Sequence, residues 1–122
     1  MAELTNLTTR EQLDTVFEAS THRPVVLLKH SLNCGSSKST LRDLRAFAER
    51  LGIDAPLFAL VEIQTARELS DEIAARTGVA HESPQIILLR DGRAAWHASH
   101  WRISTGRLAD ALESAGRRDV EK

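Results

Sequence analysis

A short apolar run, Val-Val-Leu-Leu at residues 25–28, ends just before the only cysteine of the chain, Cys34. The run is too short for a helix of its own and is typical of a strand buried in the centre of a sheet. Beyond the cysteine, apolar residues recur at the spacing of an amphipathic helix, at Leu41, Leu44, Phe47 and Leu51. The sequence therefore predicts a central strand, a short loop that carries the cysteine, and a helix that ends near Gly52.

A cysteine between a strand and a helix has a definite chemical meaning. The first turn of a helix presents unpaired N–H groups and the positive end of the helix dipole, and both stabilise the nucleophilic thiolate. The alternative is a cysteine that only fills space in a core. However, the neighbours of Cys34 are residues of turns and helix starts, namely Asn33, Gly35, Ser36 and Ser37. These neighbours favour a reactive cysteine.

Cys34 and Ser37 form a Cys-x-x-Ser motif, in which serine stands at the second position of a Cys-x-x-Cys redox motif. Serine cannot close the internal disulfide that would release a bound partner. The predicted chemistry is therefore monothiol exchange, in which Cys34 takes one half of a mixed disulfide and waits for an external thiol. A two-cysteine mechanism within one chain is excluded because the chain has a single cysteine.

Composition and charge narrow the class of protein. The 122 residues, 42% of them hydrophobic, suffice for one domain with a single core. The 16 basic and 17 acidic residues leave no excess charge that would favour nucleic acid or a membrane surface as a partner. No apolar stretch approaches the length of a membrane span, and residues 4–9 do not form a signal peptide. Together with the single cysteine, this predicts a cytoplasmic protein.

The order of the remaining elements predicts the fold class. The predicted elements are a helix over 9–20, strands over 25–29 and 57–63, a helix over 65–78, strands over 85–90 and 93–98, and a helix over 104–115. Thr8 with Glu11 and Thr65 with Glu68 predict capping boxes at two of these helices. Asp91-Gly92 between the last two strands is a hairpin signal.

These elements comprise a βαβ unit, a connecting helix, a hairpin and a closing helix. They predict an α/β chain with a four-stranded mixed sheet flanked by helices, which is the thioredoxin-like arrangement with an extra N-terminal helix. We expect a single domain over residues 1–122, with its core from about 9 to 115.

Ser83-Pro84 stands directly before the predicted strand over 85–90. A proline at the start of a strand is often a simple break. In thioredoxin-like folds, however, a cis-proline stands at this place, faces the cysteine and leaves the preceding backbone free to pair with the substrate chain. We therefore predict that Ser83 and Pro84 form a substrate-facing cis-proline loop.

Together these features resemble the monothiol bacilliredoxins, a thioredoxin-like family of bacteria that use the thiol bacillithiol. The resemblance extends from the first helix to the last. It is carried by Lys29-His30-Ser31, Cys34-x-x-Ser37, His81-Glu82-Ser83-Pro84-Gln85, Asp91-Gly92 and Trp96-His97-Ala98-Ser99-His100-Trp101. One departure is Gly35, since family members often have proline after the cysteine.

The resemblance implies a function and a set of roles. The function would be removal of bacillithiol from S-bacillithiolated cytosolic proteins, with bacillithiol as cosubstrate and no bound cofactor; glutathione or another low-molecular-weight thiol is the alternative. Cys34 would be the nucleophile, Ser37 would occupy the resolving position, and Pro84 would face the substrate. The chain would act as a monomer or weak dimer.

Several basic residues are candidates for contacts with the thiol or its ligand. Bacillithiol carries a malyl group with carboxylates, which Lys29, Lys38 or Arg102 could hold, although a solvated surface charge is the favoured explanation of each. His30 either tunes Cys34 electrostatically or forms a hydrogen bond within the loop. His100 is expected near the active-site end of the sheet.

We predict no metal site. His97 and His100 with Cys34 or His81 supply zinc-type ligands, but their spacing matches no closed structural site. Strand alternation would also direct His97 and His100 to opposite faces if both lay on one strand.

Two other classes of protein stay open on the residues alone. Cys34-Gly35-Ser36-Ser37 differs at one position from the Cys-Gly-Phe-Ser of monothiol glutaredoxins, in which two chains share an iron–sulfur cluster. The second class is a thioredoxin-like binding module whose cysteine is inert. Colour after anaerobic purification would indicate the cluster carrier, and an unreactive Cys34 would indicate the binding module.

Overall fold

The elements follow one another in the order that the sequence predicts, with one strand added at the start. The structure, a computed structural model, describes residues 4–31, 35–51 and 56–120. The predicted nucleophile Cys34, its neighbour Asn33 and the predicted helix end at Gly52 lie outside the described residues.

The described strands and helices alternate along the first part of the chain and end in a hairpin and a long helix. In chain order they are β1 (Leu4–Asn6), α1 (Arg10–Ala19), β2 (Val25–His30), α2 (Gly35–Leu51), β3 (Leu57–Glu62), α3 (Arg67–Thr77), β4 (Gln85–Arg90), β5 (Arg93–Ser99), a 3-10 turn (His100–Arg102) and α4 (Thr105–Val120). No described helix has the apolar length that crossing a bilayer requires.

The described strands form one mixed sheet in the order β1-β3-β2-β4-β5. β1, β3 and β2 run parallel, whereas β4 runs antiparallel to β2 and β5 antiparallel to β4. The predicted fold class is confirmed, but the predicted strand count is one too low. β1 is only three residues long and forms because it pairs with the free edge of β3, from Leu4 opposite Phe58 to Asn6 opposite Leu60.

β2 is the centre of the sheet and is buried on both faces along its whole length. Side chains of a strand alternate between the two faces. Val25 and Leu27 accordingly pack with α1 and α3, whereas Val26 and Leu28 pack with α2 and α4. A core on each face of the sheet fixes the end of β2, and with it the point from which the chain continues toward Cys34.

Both predicted capping boxes are wrong in detail. At α1 the box is formed one residue later, by the Thr9 side chain and Gln12. At α3 the N-cap is Ala66, which has no side-chain cap, while the Thr65 hydroxyl donates to the Glu62 carbonyl. Neighbouring threonines and acids offer several registers to a helix start, and the packing of the helix on the sheet selects one.

The hairpin between β4 and β5 forms as predicted from Asp91-Gly92. Asp91 has φ +56° and Gly92 has φ +74°, so both central residues adopt the left-handed conformation that a tight two-residue turn requires. The turn is fastened to the end of α1, because the Asp91 N–H donates to the Ser20 carbonyl and the Gly92 N–H donates to the Ser20 hydroxyl oxygen.

Candidate active site at the carboxyl end of the central strand

The backbone places a helix start directly after the predicted nucleophile. β2 ends at His30, and α2 begins at Gly35, the residue that follows Cys34. Ser36 and Ser37 lie in the first turn of α2, and that turn contains no acidic residue. The unpaired N–H groups and the dipole of a 17-residue helix therefore act at this end of the sheet without an opposing carboxylate in the same turn.

The Ser83–Pro84 loop lies at the same end of the sheet. The peptide bond between Ser83 and Pro84 is cis, and Pro84 is buried. Gln85 pairs with Lys29 across β4 and β2, so Pro84 lies one residue further on, level with the end of β2. The loop is thus next to the point where the chain leaves β2 toward Cys34. That Pro84 faces a substrate stays a prediction.

His100 and Arg102 lie beside this loop. The His100 N–H donates to the Pro84 carbonyl at 3.0 Å, and His100 Nε2 lies 3.4 Å from Glu82 Oε1. His100 has φ +54° and a half-exposed side chain. A cavity of about 340 Å³ is lined by Glu82, His97, Ala98, Ser99, His100 and Arg102. The structure therefore places two sequence candidates, His100 and Arg102, beside the Ser83–Pro84 loop together with Glu82. That they contact the thiol or its ligand stays a prediction.

His30 and Lys38 occupy contrasting environments. His30 is 3% exposed, and its Nδ1 has no hydrogen-bond partner in the described residues. Alternation along β2 directs it to the sheet face that α2 and α4 cover. Lys38 is exposed on α2, as expected of a solvated charge.

Lys29 is wholly buried, which is rare for a lysine. It lies on the face of β2 that α1 and α3 cover, opposite to His30. Its Nζ is 3.4 Å from Nδ1 of His81, and the same nitrogen is 2.9 Å from the Ser70 hydroxyl oxygen on α3. Burial lowers the pKa of Lys29, while the Asp71 carboxylate acts to raise it. Lys29 therefore joins the central strand to the loop that ends in Pro84.

The contact of His81 with Lys29 and Ser70 is a feature of the candidate site that the sequence did not predict. The pKa of His81 is lowered, first by burial of the ring and then by the charge of Lys29, against the raising effect of Asp71. Its role is not visible from local sequence, because Lys29 and Ser70 are 52 and 11 residues away along the chain. Within the described part of the chain, no group of three or more histidine, cysteine, aspartate or glutamate side chains is arranged to hold a metal ion.

The lowered pKa of His81 makes stability depend on pH. A folded-state pKa below 6.5 means that the neutral imidazole contributes stability above pH 6.5, which is lost as the pH falls through the folded-state value. His81→Gln should therefore narrow the difference in urea midpoint between about pH 7.5 and about pH 5.

Lys29→Met should raise the pKa of His81, read from its ring-proton NMR signals. If the NMR titration of His81 in the wild-type protein had its midpoint at or above pH 6.5, this account would be contradicted.

Comparison with known proteins agrees with this geometry. The family model described as monothiol bacilliredoxin BrxC matches residues 5–108. Among solved structures, a candidate oxidoreductase with a thioredoxin fold shares 32% identity, with a TM-score of 0.78, over 88% of this chain and 92% of its own.

Two thioredoxins are similar in fold at lower identity. Thioredoxin of Fasciola hepatica shares 17% identity with a TM-score of 0.73, over 92% of this chain and 99% of its own. Thioredoxin f of spinach chloroplasts shares 18% identity with a TM-score of 0.69, over 93% of this chain and 94% of its own. At these identities the likeness concerns the fold alone.

Proposed function

The chain belongs to the monothiol bacilliredoxin family, a family of redox proteins with the thioredoxin fold, and from this we propose that it removes bacillithiol from S-bacillithiolated proteins through Cys34. The observation that carries the proposal is the start of α2 at Gly35, directly after the only cysteine of the chain. A helix start favours the thiolate, which is the form that attacks disulfides.

The proposed reaction has two exchange steps. In the first, the Cys34 thiolate attacks the bacillithiol sulfur of a protein–bacillithiol disulfide. The old S–S bond breaks, a disulfide forms between Cys34 and bacillithiol, and the substrate protein leaves as a thiolate. In the second, the thiolate of an external low-molecular-weight thiol attacks the bacillithiol sulfur of this disulfide. Cys34 leaves as a thiolate, and the external thiol and bacillithiol form a low-molecular-weight disulfide. The electrons come from that external thiol, because Ser37 cannot supply them.

The loop around Pro84 is the proposed docking place for the substrate protein. Pro84 lies level with the end of β2, and the His100 N–H fastens the 3-10 turn to the Pro84 carbonyl. The cavity with His100 and Arg102 opens beside it. We propose that a substrate chain lies along this loop, with its modified cysteine directed toward Cys34, and that the reaction takes place in the cytoplasm without a bound cofactor.

The test is a transfer experiment followed by intact-mass spectrometry. The protein is incubated with a model protein that carries bacillithiol on one cysteine, and in parallel with the same protein carrying glutathione. We expect bacillithiol on Cys34 and an equal amount of freed model-protein thiol. We expect the glutathione reaction to be at least about tenfold slower, the ratio that corresponds to about 1.4 kcal/mol in the barrier.

Each other outcome revises a different part of the proposal. Equal rates with both thiols would leave thiol exchange standing and overturn bacillithiol as the preferred thiol. An unmodified Cys34 in both reactions would overturn the proposed enzyme activity and favour a thioredoxin-like binding module.

A further inference from the structure

We propose that the cavity between α3 and the loop before Pro84 is a carboxylate-binding subsite, which holds the carboxylate end of the low-molecular-weight thiol during transfer. This inference rests on the proposed function, since it assigns a place to the malyl group of bacillithiol. The cavity has a volume of about 230 Å³ and is lined by Ile63, Gln64, Arg67, Ser70, Asp71 and His81.

The buried group beneath this cavity is the Lys29 ammonium, which has no close counter-ion among the described residues. Lys29 lies wholly buried behind His81, and in the described part of the chain it forms no ion pair with a carboxylate. Asp71 acts on Lys29 at longer range only. A buried cation is costly unless an anion compensates it. A ligand carboxylate in the cavity would supply that compensation.

The contact with Lys29 determines which ring nitrogen of His81 carries the proton. A lysine ammonium has donors and no acceptor, so Nδ1 of His81 must accept from it. The ring proton of a neutral imidazole is then on Nε2, by assignment from the hydrogen bonds. The Nε2–H of this cavity-lining ring is therefore left as a donor for a ligand oxygen.

Arg67 supplies the second cationic group of the subsite. Its side chain is exposed at the start of α3, and it makes no hydrogen bond or ion pair with the described residues. A guanidinium can bind a carboxylate through two parallel N–H···O bonds. Asp71 lines the same cavity and brings one negative charge to it. Anion binding therefore requires that the two positive charges of Arg67 and Lys29 exceed the effect of this carboxylate.

The cavity is connected to the chain segment that carries the nucleophile. The Gln64 side-chain amide donates to the Ser31 hydroxyl oxygen at 2.7 Å, and Ser31 is three residues before Cys34. Gln64, Arg67 and Asp71 also line a larger cleft of about 760 Å³ between α1 and α3. A carboxylate held by Arg67 and His81 would therefore leave room for the remainder of a small thiol.

The first test compares two disulfide substrates, of which only one carries carboxylates. One is a model protein that carries bacillithiol, and the other is the same protein carrying cysteamine, a thiol without a carboxylate. Arg67→Gln is expected to raise KM for the bacillithiol substrate about tenfold, as for the loss of a charged hydrogen bond, and to leave KM for the cysteamine substrate unchanged. Arg50→Gln, at the far end of α2, should change neither KM.

The second test measures binding without the reaction. Malate is titrated into the wild-type protein at constant ionic strength, and the ring-proton NMR signals of His81 are followed. A saturable shift that Arg67→Gln abolishes and Arg50→Gln retains is the expected result. No saturable shift, or an equal rise of KM for both disulfide substrates in Arg67→Gln, would overturn the subsite. If the wild type transfers neither thiol, the proposed function fails, and the malate titration still decides whether the subsite exists.

Discussion

Replacing Cys34 with serine should lower the rate of bacillithiol transfer by about a thousandfold or more, to the background rate, since removal of a nucleophile eliminates the catalysed path. Cys34 is the only thiol of the chain, so no other side chain can take over the exchange. A serine hydroxyl neither ionises near neutral pH nor forms a disulfide. The initial rate at which the model protein regains its free thiol measures the effect.

Ser37→Ala is the matched control for this substitution. It also removes one polar atom from the Cys-x-x-Ser motif, but the proposed mechanism gives Ser37 no resolving role. Its transfer rate should therefore stay within about threefold of the wild type, less than about 0.7 kcal/mol in the barrier. Transfer that persists in the Cys34→Ser variant would show that the exchange takes place elsewhere. A large loss in Ser37→Ala would show that the hydroxyl takes part in it.

Those parts of the structure that depend on local sequence could be predicted from it. The apolar run of β2, the helical period after Cys34 and the Asp91-Gly92 turn each satisfy their own backbone requirements within a few residues. For this reason the element order and the fold class were predictable, and so was the place of Pro84 before β4.

The parts that depend on partners distant in sequence could not be predicted. β1 has too few residues to show a period and forms only because β3 offers it a free edge. The environment of Lys29 could not be predicted either, because its contact with His81 joins residues that are 52 positions apart in sequence. One available signal was the apolar run itself. A strand without polar alternation is buried on both faces, so the residue that continues it, Lys29, was a candidate for burial rather than solvation.

The second large effect that we expect concerns stability. Leu28→Ala should lower the free energy of unfolding by about 2–5 kcal/mol, the range for a buried leucine that leaves a cavity. Leu28 is 0% exposed in the central strand, where it stands opposite Leu60 of β3 and Ile86 of β4. Strands on both sides fix these neighbours, so the core beneath α2 can collapse little around the smaller side chain. Urea unfolding followed by tryptophan fluorescence measures the change.

Leu51→Ala is the matched control, because it removes the same atoms from a leucine that is 37% exposed at the end of α2. Its cost should stay below about 1 kcal/mol, since less apolar area returns to water and no closed cavity forms. Equal losses in the two variants would contradict the burial of β2 on both faces. That burial determines where β2 ends relative to α2 and to Pro84, so the same result would also weaken the proposed geometry of the active site.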